Sequence, residues 1–548
     1  MDMHSIIDAS FSSMKFVGFN VPGAAPVLEN GRLRIPPELL RELSREAFRR
    51  VSFFLRKTQL EGIAAVLSDK RASDNDRFVA RALLRNAIIA AKGCLALCQD
   101  TGTAMIAAWK DESVFTHTDD EASLIEGAEI AYKRYNLRSS QVASASFFEE
   151  FDTGTNLPAQ VHIEAAKDGK TGPSYRFLFV AKGGGSANKT AFFQMTKALL
   201  EPDRFDAFLR EKVAALGVAA CPPYRLAVVV GGTSAEENLR TLKFATTELL
   251  DNAPNDPKAS NGTIFRDAYW ERRLMEIARG SGLGAQFGGS ALAVDARVIR
   301  LTRHAASCPV SIGVSCSAHR NVLAVIDVSG ARIEALEEDP RSFLASLGVH
   351  VEAEKKSPSE KITRIDLDKP MAEIRAALAE KSVGERVLLS GSLLVARDAA
   401  HLKWHRLLET GSTLPAYLTE HPILYAGPAA TPPGKAIGSF GPTTAQRMDE
   451  YAQELMSHGA SLVTLAKGNR GAIWTKACAE FGGFYLGTIG GAAALIAEEN
   501  IVESRVIDYP ELGMEAVRLI KVVDLSAFLI VDDKGNELYG KLAAAGKS

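Results

Sequence analysis

The chain has 548 residues, of which 46% are hydrophobic and 24% charged, and its net charge is -2. This length predicts a multi-domain enzyme, and the balanced charge argues against a general binder of nucleic acid or anionic membranes, since such proteins usually carry a basic excess. No apolar run approaches the ~18 residues of a membrane-spanning helix. Residues 1–15 contain two aspartates and one lysine, unlike a secretory or mitochondrial leader. We therefore expect a cytoplasmic protein with no membrane or nucleic-acid partner.

Residues 36–93 carry the periodicity of amphipathic helices. The prolines at 36 and 37 open the first of them, and Asp74 is a candidate cap for a second helix that runs toward Gly93. From about 100 to 335, strand-like runs such as 225–230 and 322–328 alternate with glycine-rich turns. The first part of the chain is thus predicted to mix helices with a sheet.

A charged segment with two prolines, residues 337–362, is the best candidate for a linker. It divides the chain into a domain at 1–336 and a second domain at 363–548. In the second domain, segments with the periodicity of helices alternate regularly with segments typical of strands, which predicts an α/β fold. Its predicted elements are a helix at 370–381, a strand at 386–396, a helix from Asp398, a helix after Thr443, a strand at 461–466, another helix, and a strand at 484–489.

Three cations of the second domain lie where strands are predicted to end, and functional side chains of α/β sheets gather at such edges. Arg397 and Lys467 each follow an apolar run, and Arg447 is four residues after Thr443. If 443–447 were helical, Thr443 and Arg447 would share a face, and Thr443 or Thr444 could cap the helix. Single surface cations are common, but three at equivalent edges suit a compact dianion, because guanidinium groups pair bidentately with carboxylates.

The six cysteines do not by themselves indicate a metal site. In a long chain of this kind they are expected to be reduced, and most such residues are small buried hydrophobes. Their spacing matches no compact zinc or ferredoxin pattern. They are Cys94, Cys98, Cys221, Cys308, Cys316 and Cys478.

Glycine-rich stretches at 183–185, 231–232 and 284–289 imply that the backbone closely approaches a neighbouring group or a ligand. One of them could cradle a phosphate, but none has the spacing of a P-loop or a dinucleotide fingerprint. A nucleotide-dependent enzyme therefore stays a weak alternative. A non-catalytic iron–sulfur sensor or RNA-binding protein is a second one, although the charge balance does not favour it.

Taken together, the motifs resemble those of class I, iron–sulfur-dependent fumarate hydratases. They follow one another in the family's order and cover nearly the whole chain. The matching segments are AAKGCLALCQDTGT (91–104), TGTNLPAQ (153–160), AKGGGSANKT (181–190), ACPPYRLAVVVGGTSAE (220–236), GLGAQFGG (282–289), RHAASCPVSIGVSCSAHRN (303–321), ARDAAH (396–401), GPTTAQRMD (441–449), LAKGNR (465–470), GGFYLGTIGG (482–491) and YPELGMEA (509–516).

The resemblance implies a [4Fe–4S] cluster held by Cys98, Cys221 and Cys316, with one iron left open as a Lewis acid. Cys94, Cys308 and Cys478 would then be ordinary residues. It also implies the reversible, stereospecific hydration of fumarate to (S)-malate, and a homodimer in which two α/β domains enclose the cluster and the active site.

The resemblance further assigns the residues around a dicarboxylate substrate. Thr443 would be the base at C3, and Asp100, helped by His304, the acid on the departing hydroxyl; a neutral Thr needs a neighbour that accepts its proton. Gln99, Asp100 and His304 are expected beside the cluster ligands. The predicted substrate-binding groups are Gln99, Arg138, the backbone at Gly184 and Gly185, Arg397, Thr443, Arg447 and Lys467.

The sequence does not determine which dicarboxylate is the substrate. A hydratase for mesaconate must accommodate one extra methyl group, and a methyl group changes preference by only about 1–3 kcal/mol. Mesaconate and tartrate therefore remain alternative substrates.

Overall fold

The computed structural model describes residues 2–167, 172–351 and 362–545. Within these ranges, none of the helices combines the length and apolar character needed to cross a bilayer. Helices and strands are mixed throughout, which confirms the predicted α/β class. The α-helices of the described residues are α1 (Met3–Ser13), α2 (Pro37–Phe53), α3 (Lys57–Ser68), α4 (Asp74–Ala90), α5 (Asp120–Arg134), α6 (Gly184–Ala187), α7 (Pro202–Leu216), α8 (Ala235–Ala245), α9 (Ala268–Gly280), α10 (Pro340–Ser346), α11 (Met371–Ala379), α12 (Asp398–Glu409), α13 (Tyr417–Glu420), α14 (Ala452–Ser457), α15 (Ala472–Phe481), α16 (Ala493–Glu499) and α17 (Leu538–Ala545).

The strands belong to three large sheets and two small ones. Short 3₁₀ helices lie at Lys197–Leu200, Pro257–Ser260, Ala445–Tyr451 and Pro510–Glu515. The strands are β1 (Phe16–Phe19), β2 (Val27–Glu29), β3 (Arg32–Arg34), β4 (Thr103–Asp111), β5 (Val114–Phe115), β6 (Val142–Ser144), β7 (Glu150–Asp152), β8 (Gln160–Ala166), β9 (Ser174–Lys182), β10 (Ala191–Met195), β11 (Tyr224–Gly232), β12 (Ile264–Arg266), β13 (Ala293–Arg303), β14 (Cys308–Ser315), β15 (Asn321–Asp327), β16 (Gly330–Glu334), β17 (Thr363–Asp366), β18 (Arg386–Val395), β19 (Ile423–Leu424), β20 (Val463–Ala466), β21 (Phe484–Thr488), β22 (Ile501–Asp508) and β23 (Val517–Val531).

The helical prediction for residues 36–93 is confirmed by α2, α3 and α4, but the predicted cap of α4 is wrong. Ser73 is the N-cap: its Oγ accepts a hydrogen bond from the backbone N–H of Asp76 (3.0 Å), and the Asp76 carboxylate accepts one from the N–H of Ser73 (3.0 Å). Asp74 is the first helical residue. A reciprocal capping box satisfies two free N–H groups at once, which a lone aspartate cannot do.

Two sheets form the first part of the chain. The six-stranded sheet has the order β1-β16-β15-β9-β4-β8, and the five-stranded sheet has the order β10-β14-β11-β13-β12. One buried apolar cluster contains residues of both sheets, including Leu178 of β9 and Val229 of β11. The two sheets therefore pack on each other, and the strand runs predicted at 225–230 and 322–328 are confirmed as β11 and β15.

The second part contains a seven-stranded sheet with the order β17-β18-β19-β20-β21-β23-β22. Strands β18 to β21 are parallel, β23 runs antiparallel to β21, and β23 also pairs with β18. These pairings close a ring of five strands. The helices and strands predicted for this part are confirmed, with ends shifted by a few residues, because its βα alternation is regular.

The predicted linker is partly structured. It contains α10, whose Leu344 is buried in the main core, so residues 340–346 belong to the folded body and the linker prediction is wrong for them. Residues 352–361 of that linker lie outside the described residues.

The two parts share an apolar interior. Phe287 stacks on Phe528, with ring centroids 4.0 Å apart, and Asn86 Oδ1 accepts a hydrogen bond from the N–H of Ala494 (2.8 Å). This interior holds the loops of the two parts against each other.

Candidate active site

Three cysteines that are far apart in sequence meet where these loops converge. Cys98 precedes β4, Cys221 precedes β11, and Cys316 directly follows β14. The N–H of Ser317 donates to the carbonyl oxygen of Cys221 (3.1 Å), which ties two of the loops together. Burial raises the pKa of the Cys221 thiol to about 11; Lys467 opposes this shift, and the neighbouring Cys316 and Cys98 add to it. The three thiols therefore lie close enough to influence one another.

The other three cysteines lie elsewhere. Cys308 is buried at the opposite end of β14 from Cys316, and Cys478 is buried within α15. Cys94 is partly exposed in the loop before Cys98. Cys308 and Cys478 are thus separated from the three thiols that meet at the loops.

The donor set at this point fits an iron–sulfur cluster better than a single ion. Among the described residues, no three His, Cys, Asp or Glu side chains converge closely enough to hold one metal ion. A cubane cluster is several ångströms across, so its thiolates do not converge on one atom, and cysteine sulfur is the ligand that such clusters use. The backbone at Gly490 packs closely against one of the thiols, because a Cβ atom there would lie 2.5 Å from Cys221 Sγ.

Asp100 follows this loop and is held by positive groups. Its Oδ2 accepts a hydrogen bond from the N–H of Gly184 (2.8 Å), and its Oδ1 lies 3.3 Å from Nη2 of Arg138. Burial by itself raises the pKa of Asp100, but Arg138, Arg320, the Gly184 N–H and Lys467 outweigh it and lower the pKa to about 2. Asp100 is therefore a carboxylate at neutral pH.

Arg138 and Gln99 connect this loop to the second part of the chain. Arg138 is buried and donates to the carbonyl oxygen of Gly427 (3.0 Å). Gln99 is buried as well, and its Nε2 donates to the carbonyl oxygen of Pro442 (3.4 Å), next to Thr443.

Lys467 places a cation against the thiol of Cys221. Its Nζ lies 2.9 Å from Cys221 Sγ, and a Cβ atom on Gly185 would lie 3.6 Å from the same Nζ. Burial by itself lowers the pKa of Lys467, but Cys221 and the other two thiols outweigh it and raise the pKa. Lys467 follows β20, as predicted.

Thr443 and Arg397 each present a buried polar atom to this region. Among the described residues, the Thr443 hydroxyl and the Arg397 Nε have no hydrogen-bond partner. Arg397 is buried at the end of β18 and pairs with Glu515 (2.7 Å). Buried polar atoms are normally satisfied, so both are free to bind a ligand.

The predicted helix face with Thr443 and Arg447 is wrong. The helix after Thr443 starts as a 3₁₀ turn at Ala445, so Thr443 precedes it and is buried, whereas Arg447 is exposed and pairs with Asp398 (3.2 Å). Thr444 is the N-cap but makes no side-chain capping bond. Arg447 nevertheless stays near the group, because Asp398 is the neighbour of Arg397.

The structure does not bring His304 to the other predicted site residues of this chain. It is exposed in the turn between β13 and β14, and its Nδ1 accepts a hydrogen bond from the N–H of Ala306 (3.2 Å). Cys316 lies beyond the far end of β14, a strand about 27 Å long at ~3.4 Å per strand residue. The expectation that His304 lies beside the cluster ligands is therefore wrong for a single chain.

One buried residue of the group was missed. Arg320 donates to the carbonyl oxygens of Asp100 (2.7 Å) and Thr101 (2.9 Å). Its position four residues after Cys316, within a matching motif, was the available indication.

Comparison with known proteins identifies the family of the chain. The family model described as "Fumarate hydratase (Fumerase)" matches residues 41–325, and the model "Fumarase C-terminus" matches residues 330–542. The chain is 50% identical over 513 residues to "Fumarate hydratase 2" of Leishmania major, covering 93% of this chain and 88% of the relative. It is 49% identical to "Fumarate hydratase class I, anaerobic" and 48% identical to "Fumarate hydratase class I, aerobic", both of Escherichia coli strain K12, covering 93% of this chain and 91% of each relative.

Both family models match in chain order and together span nearly all of the residues around the candidate site. The identity extends over almost the full length of each relative, so the likeness is not confined to one part of the fold. The chain therefore belongs to the class I fumarate hydratase family.

Proposed function

We propose that this hydro-lyase adds water reversibly to fumarate to give (S)-malate, with a [4Fe–4S] cluster held by Cys98, Cys221 and Cys316. The observation that carries the proposal is the convergence of these thiols with Lys467, whose Nζ lies 2.9 Å from Cys221 Sγ, and with the carboxylate of Asp100. When bound, a cluster with one iron free of protein ligands supplies a Lewis acid.

The positively charged side chains of the site suit a substrate with two carboxylates. Removal of the C3 proton of malate places charge beside a carboxylate that is already anionic, so the transition state needs preorganised positive groups. Arg138 and Arg397 are buried at the site, and Lys467 is half-buried next to the thiols. Arg447 is more exposed and would bind a carboxylate from the rim. The backbone at Gly185 faces Lys467.

Asp100 and Thr443 are assigned the proton transfers. Asp100 is ionised at neutral pH, so its carboxylate is in the form that can accept a proton from water in the hydration direction. In the reverse direction, the same group returns that proton to the departing hydroxyl. Thr443, with its unpartnered hydroxyl, exchanges the proton at C3, which requires a neighbour to relay that proton onward. Gly184 holds Asp100 through its N–H, so its part is to orient the acid.

The test is turnover by anaerobically purified chain. We expect visible absorbance of an iron–sulfur cluster, close to four irons per chain, and a higher kcat/KM for fumarate than for mesaconate or tartrate. Exposure to air should remove the activity, and ferrous iron with a thiol reductant should restore it. An active protein without iron would overturn the cluster proposal, and a preference for another diacid would overturn the substrate assignment.

We further propose a homodimer located in the cytoplasm. Sedimentation of the intact chain would measure the first, and a monomer at micromolar concentration would contradict it.

A further inference from the structure

Arg320 is a buried arginine for which the proposed chemistry has no role. It stands just before β15, four residues after Cys316, and only 5% of it is exposed. Its Nη1 donates to the carbonyl oxygens of Asp100 (2.7 Å) and Thr101 (2.9 Å). A buried guanidinium with two backbone acceptors holds the loop that carries them, since hydrogen bonds from charged donors are the stronger ones.

The same residue also reaches the glycine loop. The carbonyl oxygen of Arg320 accepts a hydrogen bond from the N–H of Ala181 (3.0 Å). A Cβ atom on Gly183 would lie 3.2 Å from Nη2 of Arg320 and 3.0 Å from Oδ2 of Asp100. Arg320 therefore joins three segments: the loop of Asp100, the end of β9 with the adjoining Gly183, and the loop that follows Cys316.

We propose that Arg320 is a positioning residue that fixes the backbone of Asp100 against the Gly183–Gly184 loop and so aims the carboxylate at the reacting carbon–oxygen bond. This inference rests on the proposed function, in which Asp100 exchanges a proton with water. The charges of Arg320 and Arg138 both lower the pKa of Asp100. The two differ in their contacts, because Arg320 donates to the backbone of Asp100, whereas Arg138 lies against the carboxylate itself. Arg320 therefore acts on the step of proton transfer rather than on the binding of the diacid.

The size of the rate loss in an Arg320 variant depends on how far the Asp100 carboxylate is displaced. A displacement of about 1 Å at a reacting group can cost about 10²-fold in rate. Both contacts come from Nη1. Lysine at position 320 keeps the charge, but its ammonium ends one bond short of the Nη1 position, so it does not reach both oxygens in the same geometry. Glutamine has two N–H donors, but it ends two bonds short of that position and loses the charge.

The experiment compares Arg320→Lys and Arg320→Gln with wild type as holoenzymes, at matched iron per chain. We expect kcat for fumarate to fall about 10- to 100-fold. KM and the calorimetric Kd for succinate, a diacid that does not react, should change less than about 3-fold, because Arg320 leaves the substrate cations in place. Arg266→Lys is the matched control: this arginine likewise donates to a backbone oxygen, that of Asp251, and it also pairs with the Glu271 carboxylate, but outside the site. It should keep kcat even if it lowers the melting temperature.

A double-mutant cycle separates positioning from general stability. If Arg320 acts through Asp100, Arg320→Lys should reduce the residual kcat of Asp100→Asn by less than about 2-fold, because coupled sites are not additive. Full additivity, or a wild-type kcat in both Arg320 variants, would overturn the proposal. A rise in succinate Kd that matches the loss of kcat/KM would also overturn it. Absence of fumarate turnover in wild type would instead contradict the proposed function, so the two failures are distinguishable.

Discussion

The Nζ atom of Lys467 lies 2.9 Å from the Sγ atom of Cys221, although 246 residues separate them in the chain. The lysine belongs to the loop after β20, and the cysteine belongs to the loop before β11. A Cβ atom on Gly490 would lie 2.5 Å from the same sulfur and 3.0 Å from Cδ of Lys467, so glycine is required there. The second part of the chain thus closes over a thiol of the first.

Replacement of Cys98, Cys221 or Cys316 by Ser should abolish both the visible absorbance and the hydratase activity. A hydroxyl is a poor substitute for a thiolate at iron, so the iron per chain should fall well below that of wild type. Cys94→Ser is the matched control, because Cys94 is partly exposed and lies four residues before Cys98. If Cys308→Ser emptied the site while Cys316→Ser kept its iron, the ligand assignment would be wrong.

Arg397→Lys should lower kcat/KM by about 100-fold, which is the usual cost of one preorganised transition-state donor. The guanidinium pairs with Glu515 and packs over Gly427, where a Cβ atom would lie 3.2 Å from Cζ, so a lysine ammonium cannot occupy the same plane. Arg364→Lys, at an exposed arginine that pairs with Asp524, is the control and should have no effect. Steady-state kinetics measure both, and a near wild-type kcat/KM for Arg397→Lys would remove this residue from the site.

Thr443→Val keeps the shape of the side chain and removes its hydroxyl, so it should reduce kcat by about 10²-fold or more with a smaller change in KM. Thr443→Ser retains the hydroxyl and should recover much of the rate. Thr444→Val controls for the local backbone, because the Thr444 side chain makes no capping bond. A Thr443→Val variant in which only KM rises would show that Thr443 binds substrate without taking part in proton transfer.

The two parts of the chain should be inactive when separated. A fragment of residues 363–548 has Arg397, Arg447 and Lys467 but none of the proposed iron ligands, so it should show no hydratase activity. The first fragment must extend to residue 351, because α10 packs into the core. Co-expression of the two fragments should restore activity. Phe528→Ala removes a ring stacked on Phe287 and lowers the free energy of unfolding by about 3–5 kcal/mol, so it should weaken this recovery. Phe147→Ala, at a ring that is 92% exposed, is the control. Activity from the isolated second fragment would contradict the proposed mechanism.

The second part of the fold could be read from the sequence because its periodicity is regular. The apolar run at 386–396 gave β18, and the amphipathic run from Asp398 gave α12, which places Arg397 at a strand end. Short-range patterns of this kind specify the element and its buried face.

Long-range geometry could not be read in the same way. His304 is close to Cys316 in sequence, but the extended strand β14 between them places the two at opposite ends of the sheet. Thr443 and Arg447 have helical spacing, but the first turn after Thr443 is 3₁₀, which changes the direction of the side chains. Arg320 lies within a matching motif, but the motif does not indicate its role, because its partners are backbone oxygens more than 200 residues away.

The closure of the second part over Cys221 has a consequence for biosynthesis. Translation proceeds from the N-terminus, so all three site cysteines leave the ribosome before Lys467 and Gly490 have been made. During that interval the thiols are not yet covered by these two residues. Domains generally begin to fold as they emerge, so the first part can fold before the second is complete. The nascent chain therefore offers its sulfur atoms to iron donors, and also to oxidants, until Lys467 and Gly490 have been made and close the site.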